Sequence, residues 1–184
     1  AFTLLWVSRQ RAVNRSQTLL TTVVAAGVDR IDRILTEAEV TLAQLKEETD
    51  GQVSDQTVER LQRAVYQTRW FRAAGVIDSE GRLVCTSLGL VDPPVAIEPA
   101  KRSRPDIDRM QIVGIATTEI MREASLILSL PTTGAGEVNL LMDPSVLTEM
   151  FEQFPIGPGG FVEVATVDGR SLARFGAASD PAPA

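Results

Sequence analysis

The chain has 184 residues, 44% hydrophobic and 23% charged, with a net charge of −6. That balance suits one packed domain rather than disorder, and the acidic excess argues against a nucleic-acid surface, which needs clustered Lys and Arg. There is no histidine and a single cysteine, which excludes a Ser-His-Asp triad, a Cys-His pair and a thiolate/imidazole zinc site in this chain.

AFTLLWV (residues 1–7) is apolar and carries Trp6, and SRQR then turns polar. Seven residues cannot span a bilayer, which needs about 20. The stretch reads either as the trimmed end of a transmembrane helix with Trp6 at the interface or as an ordinary helix start. No internal segment is long and apolar enough to span.

From about Val13 to Glu48 the pattern is one long helix without proline. Leu20, Val24, Val28, Ile31, Leu35, Ala38, Leu42 and Leu45 recur at spacings of three and four as one apolar stripe. The helix would reach roughly 50 Å. Part of it is therefore expected to project toward a membrane or to pair with a second copy, with Val24, Ile31 and Leu35 as the pairing residues. The plainer alternative is a helix lying across a sheet. TDGQVSD (49–55) breaks it at Gly51. Ser54 or Asp55 caps a second helix with apolar Val58, Leu61 and Val65, ending near Thr68.

The pattern then changes to strands. WFRAAGVID (70–78), the turn DSEG and RLVCTSLG (82–89) form a hairpin. LVDPPVAIEPAKRSRPD (90–106), with four prolines, reads as a loop. MQIVGIATT (110–118) and ASLILSL (124–130) make a strand pair, GAGE (134–137) a turn, and VNLLMD (138–143) a further strand. PSVLTEMFEQF (144–154) is a short helix with Asp143 as N-cap and Pro144 in the first turn. FVEVATV (161–167) and SLARFG (171–176) close the domain as a hairpin, and residues 177–184 form a flexible, linker-like tail.

Little in the chain suggests catalysis. GAGE and GPGG (157–160) lack the lysine and the strand-loop-helix setting of a phosphate loop. Asp106, Asp108, Glu47, Glu48 and Asp50 read as solvated faces, as do the basic runs Arg9-Arg11-Arg15 and Lys101-Arg102-Arg104. No cofactor, metal site or nucleic-acid partner is expected.

Strands clustered after helices give an α+β fold with an antiparallel sheet. The whole resembles the PAS-like (PDC/Cache-like) extracellular sensor domains of bacterial receptors, with a long N-terminal helix behind about five strands. The expected organisation is one sensor domain over 1–176, with 1–48 as the membrane-proximal helix and 70–176 as the sheet core. VCTSLG narrows the resemblance. With VERLQRAV, W-F-R and AAGVIDSEGRL before it, it resembles the CSS-motif periplasmic domains that precede EAL-type cyclic-di-GMP phosphodiesterases. The resemblance puts Cys85, Thr86 and Ser87 at the three signature positions, Thr86 replacing a serine. In that family the signature cysteine pairs with a second one ahead of the short helix, a place Val53 holds here. With one cysteine in the chain, the intramolecular disulfide cannot form. Strand alternation sets Leu83, Cys85 and Ser87 on one face and Val84 and Thr86 on the other. Cys85 is then a buried inert thiol, an intermolecular disulfide partner or a reactive sensor.

The resemblance implies a non-catalytic periplasmic sensory domain of an inner-membrane cyclic-di-GMP phosphodiesterase whose EAL domain lies outside this chain. The apolar stripe adds the expectation of a homodimer through the N-terminal helix, since two-fold pairing is the commonest closed symmetry, with a periplasmic ligand or protein as a further candidate partner. A ligand-binding PAS-like module of a chemoreceptor or histidine kinase is the alternative. A purely structural or dimerisation module is the third reading.

Overall fold

The computed structural model describes residues 2–49, 53–99, 102, 108–117, 123–133, 136–149, 151–152, 161–166, 169 and 171–176, with only the main chain for 2–20, 23 and 148. Of the sequence expectations, Asp50, Lys101, Arg104, Asp106, GPGG and the tail 177–184 lie outside the described residues.

Helix α1 (Phe2–Thr49) begins eleven residues before the expected Val13 and is 48 residues long, about 72 Å at 1.5 Å per residue. Its buried face runs through Gly27, Ile34, Ala38, Leu42 and Leu45. The expected stripe is only half core. Ala38, Leu42 and Leu45 are buried, Ile31 and Leu35 are half-buried, and Val24 and Val28 are 51% and 48% exposed. The cause is the repeat. Positions 24, 28, 31, 35, 38, 42 and 45 keep a strict seven-residue period, which drifts about 20° per heptad around a straight helix. The stripe therefore rotates off the sheet toward the N-terminal end, and Ile34 takes the core position there.

Helix α2 (Asp55–Gln67) follows, with Ser54 as N-cap and Thr68 as C-cap. The Ser54 N–H donates to Thr57 Oγ1 at 3.2 Å, closing the first turn. Its buried residues, Thr57, Val58, Leu61 and Ala64, lie on one face.

Six strands, rather than about five, form the main sheet: β1 (Phe71–Ile77), β2 (Arg82–Thr86), β3 (Gly89–Ala96), β4 (Gln111–Ala116), β5 (Ser125–Pro131) and β6 (Glu137–Met142). The order is β3-β2-β1-β6-β5-β4, antiparallel throughout. The sixth strand comes from the segment expected as a proline loop. β3 is an edge strand, where a missing N–H costs no ladder bond. Its pairing jumps from Cys85↔Leu90 to Leu83↔Val95, so five steps on β3 answer two on β2, and Pro93 and Pro94 sit in that bulge. A short helix, α3 (Ser145–Glu149), has Asp143 Oδ1 accepting the Ser145 N–H at 2.9 Å, as its cap position predicted. β7 (Phe161–Ala165) and β8 (Ser171–Gly176) pair as a separate two-stranded sheet.

The helices cover one sheet face. There α1 and α2 residues join Ala74, Val76, Cys85, Leu126, Leu128, Leu130, Val138, Leu140 and Met142 in one core cluster. Phe151 and Leu172 extend this cluster toward the start of α1. A Cβ on Gly27 would overlap the Phe151 ring, so only glycine lets the segment after α3 seat against the helix. The opposite face is also covered: Ala73, Ile127 and Leu141 form a second small cluster. Arg102, between β3 and β4 in the chain, reaches this second face through its bond to Glu137.

Candidate functional site

The Cys-Thr-Ser stretch ends β2. The main chain there departs from simple alternation: Val76 pairs with Cys85 but Ile77 pairs with Leu83, which leaves Val84 as an extra, bulged residue. Leu83 and Cys85 therefore face opposite sides of the sheet, correcting the expectation that they share a face. Leu83 leans over Gly75 on the outer face, while Cys85 joins Val76 and Val84 in the helix-side core.

Cys85 is 0% exposed. Burial pushes its thiol up to about 11, with the Val76 N–H only partly offsetting this. At neutral pH it is a neutral thiol, neither nucleophile nor good metal ligand. Thr86 Oγ1 accepts the Leu88 N–H at 3.0 Å and bonds the Gly89 carbonyl, fixing the turn into β3. The Ser87 N–H donates to the Ala74 carbonyl at 2.8 Å, and Ser87 Oγ accepts the Ala74 N–H at 3.2 Å. The hydroxyl thus continues the ladder where the strand turns away. All three side chains knit the β1-β2-β3 corner. Val53 is half-buried at the edge of the core cluster that holds Cys85.

A second constellation, missed in the sequence, lies on the outer face. Glu137 opens β6 and is 2% exposed. Its Oε2 accepts the Ser129 hydroxyl at 2.7 Å, and its Oε1 accepts Arg102 Nε at 3.1 Å. Glu137 is no turn residue, and Arg102 is no solvated charge. Gly81 makes room for Arg102: its φ is +81°, and a Cβ there would overlap the guanidinium. Asp78 holds that turn, accepting the Glu80 and Arg82 N–H groups at 2.9 Å each. Burial alone would raise the Asp78 carboxyl, but the bonds and charge of Arg82 and the Glu80 N–H hold it below the ordinary carboxylate range.

One step further along β6, Asn139 is 8% exposed and its Oδ1 has no hydrogen-bond partner among the described residues. The register aligns Thr86, Gly75, Asn139, Ser129 and Gln111 in one row across five strands. A signal for this row existed: β6 alternates Glu137, Asn139 and Leu141 with Val138, Leu140 and Met142. That pattern normally marks a solvated face, yet here its polar members Glu137 and Asn139 are buried. Of the other expected residues, Asp108 pairs with Lys46 at 2.7 Å on the surface, and Glu48 pairs with Arg60. Among the described residues no group of His, Cys, Asp and Glu could hold a metal ion, and no helix is long and apolar enough to cross a membrane.

Residues 16–152 match the family described as "CSS motif domain associated with EAL". No curated protein matches. Among solved structures, the chain is similar to the extracellular domain of rpHK1S-Z16, described as a histidine kinase, with a TM-score of 0.68 and 17% identity over 84% of this chain and 68% of that one. It is similar to the ligand-binding domain of the Pseudomonas fluorescens chemoreceptor CtaA, crystallised with L-alanine, with a TM-score of 0.62 and 15% identity over 85% and 70%. It is also similar to the ligand-binding domain of the Campylobacter jejuni chemoreceptor Tlp3, crystallised with L-valine, with a TM-score of 0.60 and 9% identity over 86% and 71%. At these identities the likeness is one of fold: a long helix behind an antiparallel sheet, as in bacterial sensor domains.

Proposed function

Because the chain belongs to the CSS-motif domain family, associated with EAL, we propose that it is the non-catalytic periplasmic sensory domain of a membrane-bound cyclic-di-GMP phosphodiesterase, with the hydrolytic EAL domain elsewhere in the protein. The observation that carries this is the family match over residues 16–152, which takes in most of α1, all of α2 and α3, and the main sheet. The purified chain hydrolyses no cyclic-di-GMP in this reading, whereas the full-length protein in membranes does. A full-length protein without that hydrolysis would overturn it.

The family's redox control is absent in this reading. Cys85 is the one cysteine, and Val53 occupies the place of its partner. Cys85 belongs to the core cluster and Val53 packs against its edge, which supports a restored pair. Val53→Cys should form an intrachain disulfide with Cys85, seen as the loss of two hydrogens by mass under oxidising conditions. Two free thiols after oxidation would remove Val53 from that role.

The full-length protein dimerises in this reading through the N-terminal part of α1. Val24 and Val28 are exposed and continue the heptad of Ile31 and Leu35, which is the geometry of a two-stranded seam. Replacing Val24 and Ile31 by Glu should yield monomers of the membrane-anchored protein, measured by its size in detergent. A folded variant that stays dimeric removes this helix as the interface. A ligand-sensing module is the second reading, and the buried polar row on the outer face favours it.

A further inference from the structure

We infer that the outer face of the sheet holds a recognition site for a small primary amine, built on Glu137 and Asn139, and that Arg102 occupies the ammonium position when the amine is absent. This deepens the ligand-sensing reading and stands whichever output domain the chain controls.

Two independent features converge here. The first is a buried carboxylate whose cation comes from outside the sheet. Glu137 is fixed on one oxygen by Ser129 at 2.7 Å, while the other accepts an N–H from Arg102, at 3.1 Å. Arg102 is itself 26% exposed. It is held beside Gly81 and belongs to a connection, not to a strand. The pair is therefore half framework and half exchangeable. The second feature is the Asn139 carbonyl oxygen, more than nine-tenths buried and without a donor among the described residues. Such a group keeps the full desolvation cost until a donor reaches it.

Geometry links the two. Glu137 and Asn139 are alternate residues of β6 on one face, about 7 Å apart along the strand. Ser129 lies directly across from Asn139 yet bonds the Glu137 carboxylate, so the three side chains share one neighbourhood. Arg102 serves Glu137 and leaves Asn139 unserved. A primary ammonium has three donors, enough for Glu137 Oε1 and Asn139 Oδ1 together. The next row toward the far end of the sheet is Ala73, Leu141 and Ile127, an apolar floor suited to a short alkyl body. An anion would face a buried carboxylate, and an alcohol would leave that charge unmatched.

Isobutylamine is the probe, with isobutanol and isobutyrate as matched neutral and anionic controls and sodium chloride for ionic strength. Calorimetry and thermal melts on the whole chain should show saturable one-to-one binding of the amine and none of the controls. Arg102→Ala removes the competing cation and should tighten the amine about tenfold, since the competent fraction rises. It should also melt lower than wild type without amine and be rescued by it. Asn139→Leu keeps the shape, removes the orphan oxygen, and should stay folded while binding weakens about tenfold. No saturable amine binding in either wild type or Arg102→Ala overturns the inference, as does equal binding of isobutanol. Undiminished binding in Asn139→Leu also overturns it. None of these results bears on whether the full-length protein hydrolyses cyclic-di-GMP, so the two readings fail separately.

Discussion

The two faces of the six-stranded sheet are made from alternate residues of the same strands, and they do different work. In β6, Val138, Leu140 and Met142 enter the helix-side core, while Glu137, Asn139 and Leu141 face the other way. The helix side is apolar, closed and redundant: any one methyl group lost is one of many. The outer side is polar, nearly as deeply buried, and depends on a few specific partners. A buried apolar face stabilises in proportion to area, whereas a buried polar face is stable only while each group has its partner. Of the two, the outer face is the one whose energy a bound molecule can change.

The largest effect expected from breaking this contrast is on the helix side. Leu140→Ala, at the centre of the core cluster, should cost about 2–5 kcal/mol in urea unfolding. A loss under 1 kcal/mol would mean that α1 and α2 do not close that face. The next is set by Cys85. Its folded pKa, about 11, lies above the ordinary 9.0, so the neutral thiol favours the folded state. That contribution is complete below pH 9 and is lost as pH rises through 11, about 2–3 kcal/mol in all. The difference in stability between wild type and Cys85→Ala should shrink across that window. A difference independent of pH would show that the thiol ionises as readily folded as unfolded.

On the outer face, Gly81→Ala should cost about 2 kcal/mol, combining a positive-φ penalty with displacement of Arg102. The comparison sharpens with Arg102→Ala in the same background. If the two costs are additive, Gly81 serves only its turn. If the double variant costs little more than either alone, Gly81 seats the guanidinium. Effects of similar or smaller size are expected at Cys85. Cys85→Ser should cost about 1–3 kcal/mol by burying a hydroxyl, and Cys85→Ala less. Native labelling of Cys85 by a thiol reagent should be slow, and melts with and without reductant should superimpose. Rapid labelling would place the sulfur within reach of a second chain.

Much of the fold was legible. The long helix, the capped second helix, the hairpin around DSEG, and the strand pairs at 110–130 and 161–176 all follow from local periodicity and turn chemistry, which act over a few residues. The misreadings share a cause in distance. β3 was hidden because its prolines are tolerable only at an edge, and an edge is a property of the whole sheet. The face of Cys85 was misassigned because one bulged residue, Val84, inverts the alternation, and nothing in RLVCTS announces it.

The sequence by itself determined that this chain lacks imidazole chemistry and an internal disulfide, and that it is a helix-then-sheet domain. These follow from composition and near-neighbour pattern. Only the tertiary structure decided that Arg102 crosses 35 positions to Glu137, that Asn139 is buried, and that Val24 and Val28 rotate away from the core that Leu42 fills. Burial and charge pairing depend on which residues the fold brings together across long sequence separations, not on adjacency in the chain.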